Sequence, residues 1–180
     1  MLKTKIAVFV SGGGTNFEAL INAQENGKIP HGEIVLMVSS SRTAYALKRA
    51  ENHGIKSVVC SKKELGSQEK FEEEILKNLE ENDIQLIVLA GFMSILSNEF
   101  TKKYENRIIN IHPSLIPSFC GEGFYGLHVH EAALKKGVKV TGATVHIVNE
   151  IPDGGPIIMQ KAVYIEENDT PEILQKRVME

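Results

Sequence analysis

Short apolar, β-branched runs alternate along this chain with longer stretches whose apolar residues recur every three or four positions. The runs Ile6–Val10, Ile34–Val38, Ser57–Val59, Leu86–Ala90 and Ile108–Ile111 read as strands. The stretches Asn16–Glu25, Ala44–Asn52, Gln68–Asn82 and Ser97–Tyr104 read as helices. Gly27 and Gly54 stand just past two of those helix ends, where a left-handed cap is wanted. In the third helix Phe71, Ile75, Leu76 and Leu79 share one face, and the acids Glu72, Glu73 and Glu80 fall elsewhere. Strand–helix alternation of this kind predicts a parallel sheet with helices on both faces.

The rhythm changes after Pro117. A Gly-rich loop, Cys120–Gly126, precedes a helix over Val129–Lys136. Two further strands, Thr141–Val148 and Ile157–Val163, are split by the turn segment Asn149–Gly155. A last helix starts at Thr170, with threonine as N-cap and Pro171 in the first helical position. No repeat, low-complexity tract or linker interrupts the chain, so residues 1–180 read as a single domain.

Composition narrows the function. A formal net charge of −3 and the absence of any Lys/Arg block argue against a nucleic-acid binder. Lys135, Lys136 and Lys139 read as a solvated helix end. Two cysteines without CxxC spacing fit a reducing cytoplasm better than a disulfide framework or zinc site. No run is long enough to span a membrane, and Met1–Lys5 lacks a signal-peptide pattern.

Four segments carry the candidate chemistry. The first is Ser11–Asn16, SGGGTN, between strand one and helix one. Its glycines let backbone approach a ligand, and the helix start offers unpaired N–H groups, a pairing suited to phosphate. A plain tight turn explains the glycines equally well. Dinucleotide binding fits worse, because Phe17 occupies the third glycine position and strand two ends in Ser39–Ser41 without an acid. The second segment is Leu89–Met93, where Phe92 and Met93 suit either an apolar slot or the core. The third is Asn110–Ser114, NIHPS, in which strand alternation puts Asn110 and His112 on one side. The fourth is the turn Asp153–Pro156, whose carboxylate is the partner that orients a catalytic imidazole and favours its charged form. The first three fall at the C-terminal ends of strands, where ligands bind in open α/β sheets. His128 and His130 form an H-x-H pair with no third ligand at metal spacing, and His146 reads as a wall of the site.

Those four segments, in that order, resemble the glycinamide ribonucleotide transformylase family of folate-dependent formyltransferases, over essentially the whole chain. The resemblance implies a Rossmann-like α/β fold: a mostly parallel sheet, helices on both faces, and an antiparallel C-terminal portion. It implies transfer of the formyl group of 10-formyltetrahydrofolate, a co-substrate, to the amine of 5-phosphoribosylglycinamide in purine biosynthesis, with no metal. It assigns the catalytic trio to Asn110, His112 and Asp153, the ribonucleotide phosphate to Gly14, Thr15 and Asn16, and folate contacts to Met93, Ser94, Ile95, Leu96 and Asn110. The segment Val148–Asp153 would close over the pterin. Ser94 and Gln68 stand where relatives often carry basic residues that hold the folate tail, and the family pattern continues past residue 180, which places the end of this chain inside the last helix. The partners implied are small molecules, with neither nucleic acid nor membrane. Water as acceptor (a formyltetrahydrofolate hydrolase), a methionyl-tRNA formyltransferase and a non-catalytic nucleotide-binding module are the competing readings. The hydrolase normally has a regulatory domain ahead of strand one, the tRNA enzyme an RNA-binding domain and more positive charge, and the binding module leaves the trio unexplained.

Overall fold

A computed structural model describes residues 2–179 of the chain, which fall into two compact units, Met1–Ile108 and Ile109–Glu180. In the first unit β1 (Thr4–Val10), β2 (Gly32–Ser39), β3 (Lys56–Val59) and β4 (Leu86–Leu89) form a parallel ladder in the order β3-β2-β1-β4. The apolar run of β1 is unbroken because the strand is covered on both sides, as expected for a central strand of a parallel sheet. Ile6, Val8 and Val10 point to one side, into a cluster with Phe17, Ile21, Met37, Ala46 and Ala50. On the other, the Phe9 ring meets Phe92 edge-on at 5.1 Å, and Phe92 stacks on Phe71 at 6.5 Å. Each such side chain contributes roughly 1.5–3 kcal/mol by leaving water.

The helices of this unit are α1 (Thr15–Glu25), α2 (Ala46–Asn52), α3 (Lys62–Leu65), α4 (Gln68–Glu81) and α5 (Asn98–Lys103). Gly27 and Gly54 adopt the left-handed conformation predicted for them, with φ 70° and 64°. The single turn α3 was not foreseen, since four residues are too few to show a period. The α4 face also differs from expectation. Phe71, Ile75 and Leu79 are buried as predicted, Leu76 only partly, and Glu72 is buried beside them. Hydrogen bonds make its burial tolerable: the Glu72 carboxylate accepts from the Ser97 N–H at 2.6 Å, the Ser97 hydroxyl at 2.6 Å and Gln68 Nε2 at 2.5 Å.

The second unit is antiparallel. Strand β6 (Val140–Ile147) pairs with β5 (Ile108–His112) on one side and β7 (Ile157–Tyr164) on the other. Helix α6 (Leu127–Lys136) buries Val129, His130 and Ala133. Helix α7 (Pro171–Met179) buries Leu174 and starts as predicted, with the Thr170 hydroxyl accepting the Ile173 N–H at 3.3 Å. Parallel strands in the first unit and antiparallel strands in the second give the α/β class with an antiparallel C-terminal portion.

Candidate active site

The glycine loop leaves β1 at Ser11 and enters α1 at Thr15. Gly14 is the residue ahead of the helix and sits at φ 70°, ψ 33°, left-handed and buried. That conformation suits glycine, and there is no room for more: an added Cβ would lie 2.8 Å from the Ala46 Cβ. The Gly14 carbonyl accepts the Glu18 N–H at 2.9 Å, and no side chain caps the helix. The first-turn N–H groups therefore have no partner further down the helix. Thr15 is exposed and Asn16 half-buried.

The segment after β4 lies beside this loop in the same unit. The Ser11 N–H donates to the Gly91 carbonyl at 3.0 Å, and the Met93 N–H donates to Ser11 Oγ at 2.8 Å. Of the Phe92–Met93 pair, Phe92 goes to the core, while Met93 is 52% exposed and Ile95 79% exposed. Large apolar side chains held open to water on a braced loop suit a flat ligand. Ser94 and Leu96 are half-buried. Gln68 Nε2 donates to the Ile95 carbonyl at 3.0 Å, so this side chain holds the loop.

In the second unit the backbone brings Asn110, His112 and Asp153 together. Asn110 and His112 are two apart on β5, and Asp153 comes from the turn between β6 and β7. Asp153 Oδ2 lies 3.4 Å from His112 Nδ1 and accepts the Gly121 N–H at 2.9 Å. Its Oδ1 lies 3.4 Å from Asn110 Nδ2 and 3.4 Å from His146 Nε2. Asp153 holds this position in the left-handed region, at φ 53°. His112 Nε2 donates to the Phe119 carbonyl at 2.8 Å. Both ring nitrogens thus face oxygen acceptors, and the ring donates to both only as an imidazolium.

His146 completes the cluster. It sits opposite Asn110 in the β5–β6 register and is almost wholly buried. Its Nδ1 donates to the Ile147 carbonyl at 2.9 Å. The Nε2 then accepts from Asn110 Nδ2 at 3.1 Å when the ring is neutral and donates to Asp153 when it is charged. Burial pushes the Asp153 carboxyl pKa up. The His146 ring, the Gly121 N–H and the positive charge at His112 outweigh it and hold the carboxyl below the usual aspartate value. An ionised carboxylate beside an imidazole and an amide is a set for moving a proton and stabilising an oxyanion.

A family model described as Formyl transferase matches residues 4–180. The chain belongs to the formyl transferase family. It is 40% identical over 176 residues to the phosphoribosylglycinamide formyltransferase of Bacillus subtilis, covering 97% of this chain and 86% of that one. It is 47% identical to the trifunctional purine biosynthetic protein adenosine-3 of Gallus gallus, covering 99% of this chain and 17% of the relative. Against the chloroplastic phosphoribosylglycinamide formyltransferase of Arabidopsis thaliana the figure is 38%, with 98% of this chain and 61% of the relative covered. The crystal structure of glycinamide ribonucleotide transformylase 1 from Symbiobacterium toebii superposes with a TM-score of 0.91 at 36% identity, covering 98% of this chain and 81% of that chain. That of phosphoribosylglycinamide formyltransferase from Bacillus halodurans gives 0.89 at 42%, covering 97% and 87%.

Two kinds of residue escaped the sequence. The Phe119 carbonyl and Gly121 N–H act through backbone, which no side-chain pattern reports. The hydroxyl of Ser11 was legible only as part of a turn, and its partner Met93 is far along the chain. Among the described residues no group of acidic, histidine or cysteine side chains is arranged to hold a metal ion, and no helix is long and apolar enough to cross a membrane.

Proposed function

We propose that this chain transfers the formyl group of 10-formyltetrahydrofolate to the amine of 5-phosphoribosylglycinamide. The observation that carries the reading is the placement of one carboxylate, Asp153, within 3.4 Å of His112 Nδ1 and of Asn110 Nδ2. The acceptor amine attacks the formyl carbon, forming a C–N bond and a tetrahedral oxyanion. Asn110 Nδ2 and His112 Nε2 donate to that oxygen in place of the His146 ring and the Phe119 carbonyl that they meet in the free protein, and this lowers the barrier as charge develops. The attacking amine loses a proton, N10 of the folate leaves with one, and His112 carries it between them. Asp153 orients the ring and stabilises its charged form, and His146 holds Asn110 and Asp153 in register.

In the first unit the N–H groups of Gly14, Thr15 and Asn16 bind the acceptor phosphate. Met93, Ser94, Ile95 and Leu96 of the first unit contact the folate. Gln68 is a neutral amide and its Nε2 is engaged by Ile95 and Glu72, so it offers the folate tail no ion pair. Two small molecules are the partners, and the free thiols of Cys60 and Cys120 suit a reducing cytoplasm. The test is formyl transfer to 5-phosphoribosylglycinamide, with water as control acceptor. Formylated glycinamide product supports the reading; release of formate alone makes the chain a hydrolase, and neither product removes catalysis.

A further inference from the structure

Helix α2 grips the glycine loop by two consecutive carbonyls. The Ala46 N–H donates to the Gly12 oxygen at 3.2 Å, and Arg49 Nε donates to the Gly13 oxygen at 2.9 Å. Both peptides are trans, and in a trans peptide the C=O and the following N–H point in opposite directions. Turning the Gly12 and Gly13 oxygens toward α2 therefore turns the Gly13 and Gly14 N–H groups away from it. Gly14 is left-handed and Thr15 begins a right-handed helix, and successive N–H groups across such a junction converge into an anion-binding concavity. The direction of the Gly14 N–H is set by whatever holds the Gly13 oxygen, and a loop of three glycines has little stiffness of its own.

Arg49 is itself fixed. Its guanidinium lies over the Tyr45 ring at 5.2 Å, and Nη1 sits 3.0 Å from Glu18 Oε2 in the first turn of α1. Three contacts of different kinds — a carbonyl, a carboxylate and an aromatic face — use the planar fork in a way a lysine ammonium cannot. The side chain is only about a quarter exposed, so these contacts are sheltered from bulk water.

We propose that Arg49 is the positioning residue for the acceptor phosphate: without touching the anion, it orients the Gly13–Gly14 peptide so that the Gly14 N–H joins the binding array, and it thereby sets the preference for a phosphorylated acceptor. The inference rests on the placement of the phosphate at Gly14–Asn16. Its consequence is specific: losing Arg49 weakens recognition of the phosphate and spares the formyl transfer step.

The experiment measures kcat and KM for 5-phosphoribosylglycinamide, for its dephosphorylated riboside and for 10-formyltetrahydrofolate in wild type, Arg49→Ala and Arg49→Lys. Amide NMR shifts of Gly14 and Thr15 on titration with inorganic phosphate serve as a second readout. Arg49→Ala is expected to raise KM for the phosphorylated acceptor roughly 10- to 100-fold, the range for losing one hydrogen bond from a charged group. KM for the riboside, KM for folate and kcat stay near wild type, the pattern of lost binding without lost catalysis. Arg49→Lys falls in between, and it alone carries the test if the alanine variant does not fold. If wild type makes no distinction between the two acceptors, the phosphate placement fails and this inference with it. If wild type distinguishes them and the Arg49 variants keep the full distinction, the inference alone fails. Equal losses for both acceptors and for kcat make Arg49 a merely structural residue and overturn it too.

Discussion

Ser11 Oγ accepts the Met93 N–H at 2.8 Å, so one hydroxyl ties the glycine loop to the apolar loop after β4. The same oxygen lies 2.6 Å from Ser40 Oγ just past β2, and the Ser11 N–H is taken by Gly91. Ser11→Ala leaves the Met93 N–H without its partner and frees both loops. Because the loops belong to different substrates in the proposed reaction, KM should rise for both, by about 2- to 13-fold for folate, the value of one hydrogen bond. Steady-state titration of each substrate checks this. A rise confined to one substrate would mean that the link is passive.

Gly14→Val tests the phosphate loop directly. The substitution forces a β-branched residue to φ 70° with its Cβ 2.8 Å from that of Ala46. The strain costs about 1–3 kcal/mol, so the melting temperature falls. KM for the phosphorylated acceptor rises much more than KM for folate. Equal losses for the two ligands, at a temperature where the variant is folded, count against a phosphate at residues 14–16.

The Asn110–His112–Asp153 cluster predicts a steep and non-additive response. Removing one oxyanion donor costs a factor of about 10²–10³ in kcat, which is the loss expected for Asn110→Ala. His112→Ala loses at least as much, since it removes a donor and the proton carrier. Asp153 titrates below the usual aspartate value, so its contribution is present above that value and lost only as pH falls through the folded one. The wild-type carboxylate therefore stays charged throughout the neutral range. In Asp153→Asn that charge is gone, the protonated ring is less favoured, and part of the rate returns as pH is lowered. Profiles of kcat against pH for the single variants and the His112/Asp153 double variant decide it. A wild-type profile in Asp153→Asn reduces Asp153 to a turn residue.

His53 predicts a pH effect on stability. Its Nδ1 lies 2.9 Å from Glu25 and its Nε2 3.1 Å from Glu18, both on α1, while His53 itself closes α2. Glu25 first and Glu18 second raise its pKa above the ordinary histidine value. A raised folded pKa means that the contribution is fully present below the unfolded value of about 6.5 and fades as pH rises through the folded value. Melting temperature should thus show a component that declines above about pH 6.5, and His53→Gln should abolish that component. A variant whose curve runs parallel to wild type would place the pH dependence elsewhere.

What the sequence by itself determined is what a single turn or strand encodes. An unbroken apolar run made β1 a strand covered on both faces, and threonine then proline started α7 at the expected position. Alternation by two put Asn110 and His112 on one side of β5, where both come to face Asp153. Tertiary structure alone decided which partners those groups meet. Nothing near Glu72 in the chain announces Ser97, so a carboxylate read as lying off the apolar face is buried. His146 reads as a wall of the site, but only antiparallel pairing sets it opposite Asn110. Nothing near Arg49 in the chain announces Gly13, whose carbonyl it reaches only in the folded protein. The reason is physical. Periodicity and capping depend on neighbours within a turn or two, whose geometry the backbone dictates. A hydrogen bond between distant segments depends on where the packed strands and helices bring them, and the local pattern of neither segment holds that information.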